Sequence, residues 1–322
     1  MEVIGGYLEL ELRKGMHYHE TAVQLNSGRN CFEYILLARK YKKVYIPYYT
    51  CEVLLQPLIR HHIPYEFYSI NEDLEPTEHK QLLSGEAFLY TNYFGLKQRC
   101  VESLSEVYGS QLIVDNAQAF YAPHLDGIDT FFSPRKFFGV ADGGYVYTDS
   151  VLEADLIQDK SYTRMQHLLE RIDESAERGY NSFRKNDDAL DNQPMCRMSG
   201  LTDRILCGID YGNAKRRRTD NFLYLHQSLQ GGNSLKLELN SNDVPMVYPF
   251  YTADISLRAR LIKERIFVAT YWTNVLEWCK PKELEYALVN HIIPLPIDQR
   301  YGKEEMLSLI HISEPTRPIS IS

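Results

Sequence analysis

Apolar positions follow two rhythms along the first half of the chain. From Gly28 to Tyr41, Phe32, Ile35 and Leu36 fall at helical spacing, and from Glu52 to His61, Leu54, Leu55, Leu58 and Ile59 repeat the pattern. Between and after these lie short apolar runs bounded by polar residues: "VYIP" (44–47), "YEFYSI" (65–70), "AFLYTN" (87–92), "QLIVD" (111–115) and "DTFFS" (129–133). Arg99 to Tyr108 reads as a helix in one gap, and "GGYVYTD" (143–149) as a further strand after a glycine pair. Strands alternating with helices predict an α/β fold, with a mostly parallel sheet buried between helices.

After residue 150 the pattern changes. Ser161 to Asn186 is charged and predicts one long helix. Leu201 to Asp210 and Asn213 to Leu229 predict two more. "SLKLELNSNDVPMVYPFY" brings strand-like pieces and prolines. Helices are then expected over Asp254–Arg265, Val275–Cys279 and Lys282–Asn290. The expected division is a large domain over 1–235 and a smaller C-terminal α/β domain over 236–306. "RYGKEEM" (300–306) opens a terminal helix, but Pro315 and Pro318 stop any helix beyond. Leu307 to Arg317 resembles the in-frame translation of a sequencing-library adapter. Residues 307–322 are therefore set aside as carrying no function.

Composition narrows the classes. The 322 residues are 44% hydrophobic and 24% charged, enough apolar surface for a sizeable core, with a net charge of −8. That balance disfavours nucleic-acid and membrane-surface roles, and Lys215–Arg218 reads as a solvated helix face. No leader and no membrane span is expected. The six cysteines form no C-x-x-C pair, consistent with free thiols in the cytoplasm. His17 and His19, like His61 and His62, have no third ligand at metal spacing, so no metal site is expected.

The chemistry gathers at strand ends. Asp115 closes "QLIVD", at the carboxyl edge where open α/β sheets bind ligands, and Gln118 is three residues on. Ser133 closes "DTFFS", and Lys136 is three residues beyond it, between Phe131-Phe132 and Phe137-Phe138. Upstream, Ser27-Gly28-Arg29 opens a helix whose free N–H groups make an anion site; taken alone this is a helix cap. Each of the others also has a local explanation as a turn or cap. Together they suit pyridoxal phosphate. That cofactor needs a lysine for a Schiff base, an acid for its pyridine nitrogen and a cup for its phosphate. The phenylalanines are expected to desolvate Lys136 and keep it neutral and nucleophilic.

"SGRNCFEYIL", "IPYYTCEVLLQPLI", "VDNAQAF" and "SPRKFFGVADGGYVYTD" resemble, in order and spacing, successive landmarks of the DegT-type (DegT/StrS) aminotransferases. These are fold-type-I pyridoxal-phosphate enzymes that mostly aminate nucleotide-linked keto sugars. "YPFYTADISLRARLIKERIFVATYW" and "LPIDQRY" extend the resemblance toward the C-terminus. It implies Lys136 as Schiff-base lysine and proton shuttle, Asp115 on the pyridinium nitrogen and Gln118 near the ring hydroxyl. Ser133 with Ser27, Gly28 and Arg29 would hold the phosphate. It further implies a homodimer, a nucleotide sugar and an amino donor as small-molecule partners, and a place in polysaccharide biosynthesis. The family's ring-stacking aromatic would fall at Cys51, leaving Tyr49 to supply the ring. "PMCRMSGLTDRIL" (194–206) keeps Arg197 and Met198 of a family N-Y-R-M segment but lacks its asparagine and tyrosine.

Two alternatives stay open. One is a sugar dehydratase on the same fold, disfavoured because such relatives replace the lysine with histidine. The other is a degenerate relative that binds without turnover. A dinucleotide dehydrogenase is disfavoured because no G-x-G-x-x-G follows the first strand.

Overall fold

The structure, a computed structural model, describes residues 4–313. Its elements run β1 (Val23–Leu25), α1 (Gly28–Arg39), β2 (Lys43–Pro47), α2 (Leu55–Arg60), β3 (Tyr65–Tyr68), β4 (Glu86–Thr91), α3 (Gln98–Tyr108), β5 (Leu112–Asn116), β6 (Asp129–Phe132) and β7 (Gly144–Tyr147). They continue with α4 (Gln166–Asp173), α5 (Ala176–Ala189), α6 (Gly200–Cys207), α7 (Tyr211–Leu229), β8 (Val247–Tyr251), α8 (Leu257–Lys263), α9 (Val275–Trp278), α10 (Leu284–His291), β9 (Ile292–Pro296) and α11 (Lys303–Ser313). The predicted α/β class is what forms. Seven strands make one sheet in the order β1-β7-β6-β5-β4-β2-β3. Neighbours from β3 to β6 pair in parallel, while β7 runs antiparallel to both β6 and β1.

Strand alternation sorts side chains between two cores. Ala87, Leu89, Ile113 and Phe131 face the layer that includes Phe32, Ile35 and Leu36 of α1. Phe88, Tyr90, Leu112, Val114 and Phe132 face the larger core, which continues to α7, β8, β9 and α11. Both faces of the parallel strands are thus covered, which explains their nearly continuous apolar runs.

Three expectations change. The long helix of 161–186 is broken at Glu174 (φ −127°, ψ −86°). Ser175 caps a second helix there by accepting from the Arg178 N–H. Of the strand-like pieces in 234–251 only β8 forms. It pairs antiparallel with β9, a strand that contains two prolines. Pro249 lies opposite Pro294 and Val247 opposite Pro296, so the prolines fall on alternate pairs where no ladder N–H is required. The terminal helix continues from the expected start to Ser313, with Leu309 and Ile310 buried. Pro315, Pro318 and the rest of the tail beyond Ser313 lie outside the described residues. Residue 235, near which a division is expected, lies after the end of α7.

Candidate active site

The register puts Thr91 of β4 beside Asp115 of β5, and Asp115 beside Phe131 of β6, at the carboxyl edge on the α1 face. Asp115 is buried. Its Oδ1 accepts from the Ala117 N–H at 2.8 Å, and its Oδ2 has no hydrogen bond among the described residues. Burial pushes the Asp115 carboxyl above the usual carboxylate range, while the charge of Lys136 and the Ala117 amide pull it back. Lys136 closes the short turn Pro134–Lys136 after β6, so the strand order delivers amine and carboxyl to one crevice.

Lys136 itself is exposed, which corrects the expectation that four phenylalanines bury it. Phe131 packs on Phe32 in the α1 layer, and Phe132, Phe137 and Phe138 belong to the opposite core. Adjacent strand residues point to opposite faces, so the four rings divide between two cores. The amine stands at the mouth of the crevice, and its charge acts on buried Asp115 and on Cys51.

The turn after Lys136 is held from below. Arg218 of α7 is buried, stacks 4.6 Å over the Phe137 ring, and donates to the carbonyls of Phe137 (3.3 Å) and Met246 (2.9 Å) and to Gln299 Oε1 (2.9 Å). Gln299 Nε2 donates to the same Phe137 carbonyl at 2.9 Å. Residues far along the chain therefore fix the segment that carries the amine. Nothing in "KRRRTD" distinguishes this inward arginine from its solvated neighbours.

Ser27, Gly28 and Ser133 meet as the sequence suggests. Ser27 caps α1 by accepting from the Asn30 N–H at 3.1 Å. A Cβ on Gly28 would lie 3.4 Å from the Ser133 Cβ. The Gly28 and Arg29 amides and the Ser133 hydroxyl have no hydrogen-bond partner among the described residues. Free amides at a helix start beside a hydroxyl make a cup for an anion. Gly144 closes the cup from behind, where a Cβ would come within 2.6 Å of Ser27 backbone and of Cys31 Sγ. Gly143 (φ +117°) donates its N–H to the Asn26 carbonyl at 2.8 Å.

Gln118 is buried beside this edge. Its Oε1 accepts from the Phe94 N–H at 2.9 Å, and its Nε2 has no partner among the described residues. Phe94 takes a left-handed conformation (φ 58°), a costly one for a bulky residue, held by Gln118 on one side and by the Met246 N–H on its carbonyl. Thr50 Oγ1, Thr91 Oγ1 and both side-chain polar atoms of Asn116 are also buried without partners among the described residues. Sequence reasoning passed over these three. Thr91 and Asn116 carry the signal that singled out Asp115, a polar residue ending an apolar strand. Such unpaired groups are rare in interiors and cluster where a polar ligand completes them.

Two residues sit elsewhere. The Arg29 guanidinium bonds the Leu190 carbonyl and pairs with Asp191 at 3.0 Å, so only its backbone belongs to the cup. Tyr49 is 1% exposed, stacked on Tyr93 (5.6 Å) and edge-on to Trp272 (4.6 Å). The residue of its loop that shares the crevice is Cys51, whose thiol feels Lys136, Arg29 and Asp115 and is raised mainly by burial. The altered 194–206 segment is built into the frame. The Arg197 backbone bridges Leu25 and Gln158, and Ser199 and Thr202 bond the buried Asp142.

The chain matches no family model, and no curated protein matches it. Solved structures do resemble it. The chain is similar to S. venezuelae DesV in complex with a ketimine intermediate, at 16% identity and TM-score 0.62, covering 90% of this chain and 83% of that one. A DegT DnrJ EryC1 StrS aminotransferase from Brucella abortus follows at 14% identity and TM-score 0.61, with 90% and 84% covered. NtdA from Bacillus subtilis, with bound cofactor PMP, stands at 14% identity and TM-score 0.61, with 90% and 73% covered. These likenesses show that the chain has the fold those proteins share.

Proposed function

We propose that the chain is a pyridoxal-phosphate-dependent aminotransferase of the DegT/StrS type, acting on a nucleotide-linked keto sugar. The observation that carries this reading is that one sheet edge holds buried Asp115, the Lys136 amine whose charge reaches it, and buried polar groups without partners among the described residues. The solved structures with this fold include sugar aminotransferase CalS13 from Micromonospora echinospora and, with bound cofactor PMP, NtdA. No helix among the described residues is long and apolar enough to cross a membrane. A cytoplasmic homodimer is part of the proposal.

The residues fit the cofactor. Ser133 and the Gly28 and Arg29 amides would hold its phosphate, Asp115 Oδ2 its ring nitrogen, and Gln118 Nε2 its ring hydroxyl. Bound there, the cofactor supplies an electron sink for the carbon that gains or loses an amino group. As an anion beside the ring nitrogen, Asp115 would hold a proton there, and its buried setting would strengthen that hold. Lys136 Nζ, exposed at this edge, would hold the cofactor between turnovers and carry the proton to and from the substrate carbon. Arg218 and Gln299 keep that amine in register through the Phe137 carbonyl.

The test is the visible spectrum of the protein titrated with pyridoxal phosphate. The wild type is expected to show the absorption of lysine-bound cofactor, lost in Lys136→Ala and altered by an amino donor such as glutamate. A colourless wild type under saturating cofactor would overturn the proposal. A band that responds to no donor would favour the degenerate, binding-only relative.

A further inference from the structure

A second cluster lies at the far end of the sheet, on β1's side, and has no part in the proposed chemistry. Asp203 and Cys207 are four apart on α6 and so share one helix face. His17, from the segment before β1, lies against that face. One ligand atom from each residue falls within 4.8 Å of the others.

We propose that His17, Asp203 and Cys207 form a binding site for a zinc-class divalent cation. The donor set is the first argument. Imidazole and thiolate select borderline and soft divalent metals over magnesium or calcium. A thiolate, a carboxylate and a neutral imidazole together balance a dication. Zinc bonded to such donors sets them about 3.5 Å apart, within reach of the separations here. His17 Nε2 and Asp203 Oδ1 lie 2.9 Å apart and must open slightly. The Asp203 side chain is 41% exposed and free to do so, which also gives the ion an entry path and leaves the fourth position to water.

The outer contacts are the second argument. His17 Nδ1 lies 2.6 Å from the Tyr145 hydroxyl, an outer partner that fixes the ring and turns Nε2 toward the site. The backbone is pressed into place as well. A Cβ on Gly15 would lie 2.5 Å from the Cys207 carbonyl, and one on Gly208 would lie 3.0 Å from the Arg13 carbonyl. His17 thus rides on a tether with little freedom. A nucleophilic cysteine triad does not fit, because both ring nitrogens of His17 already have oxygen partners and neither bonds the thiol.

Chelator-treated full-length protein, titrated with Co²⁺, tests the site. One equivalent should bind, with visible ligand-field bands and a thiolate-to-metal charge-transfer band, and Zn²⁺ should displace it. Cys207→Ser should abolish the charge-transfer band, and Asp203→Asn, a milder change for the fold, should weaken binding at least about tenfold. The absence of a charge-transfer band at excess Co²⁺ would overturn the proposal. So would a band of unchanged intensity in Cys207→Ser, which would assign the metal to another of the six thiols. Neither readout depends on pyridoxal phosphate.

Discussion

Asp115 and Asp129 are buried carboxyls on adjacent parallel strands, and the fold treats them in opposite ways. Asp129 opens β6 at the amino edge of the sheet. It accepts from Arg39 Nε and Nη2 and from the Tyr41 hydroxyl, at 2.8 to 3.3 Å. Asp115 nears the end of β5 at the carboxyl edge and accepts one backbone amide. The amino edge is finished by the chain itself. At the carboxyl edge Thr91 Oγ1, the Asn116 amide and Gln118 Nε2 are buried without partners among the described residues, and the proposed ligand would finish that edge. A buried charge left half-satisfied costs stability, so its presence points to function rather than folding.

The largest effect that separates the two edges is expected at Asp129. Asp129→Ala strips Arg39 and Tyr41 of their shared partner and should cost about 3 kcal/mol in urea denaturation, the low end for a broken buried pair because Arg39 keeps some solvent contact. A loss below about 1 kcal/mol would remove the contrast.

Gly144→Ala comes next. The added methyl meets Ser27 backbone and Cys31 Sγ, so the α1 cap must move. The expected cost is about 1–3 kcal/mol, with weaker pyridoxal-phosphate binding in the same titration. Destabilisation with unchanged cofactor affinity would detach the cup from the site.

Asp115→Asn should act in the opposite sense to Asp129→Ala. A carboxyl whose folded pKa is raised by burial costs stability once pH exceeds its unfolded value, and the full cost is present above its folded value. The cofactor-free variant should therefore melt above the wild type at neutral pH, the gap closing as pH falls through the carboxylate range, while the cofactor-loaded variant should lose the proposed transamination. A variant less stable than wild type at neutral pH would make Asp115 a structural residue like Asp129.

Thr91→Val gives the smallest shift. It replaces a buried hydroxyl without a partner by a methyl of similar size, so the cofactor-free protein should change by no more than about 1 kcal/mol, toward greater stability. A clear loss would mean that the hydroxyl is already paired.

Much of this was legible in the sequence where local pattern and tertiary role coincide. The parallel strands announce themselves as apolar runs, and Asp115 and Ser133 as the polar residues that end or follow them. Side-chain direction was not legible. "FFSPRKFF" reads as a nest around Lys136, yet alternation sends the rings to two cores and leaves the amine exposed. Arg218 looks like its charged neighbours until α7 turns one of them inward. β9 accommodates two prolines because of how the register pairs them. The His17, Asp203 and Cys207 cluster needs residues nearly two hundred positions apart, and no spacing rule reaches that far.

The central claim is that Asp115 and Lys136 face each other across one ring. A crystal structure of the protein grown with pyridoxal phosphate tests it directly. The account predicts continuous density from Lys136 Nζ to the cofactor, the ring nitrogen within hydrogen-bond distance of Asp115 Oδ2, and the phosphate at the Gly28 and Arg29 amides. Density joined to another lysine, or a ring nitrogen away from Asp115, would contradict it.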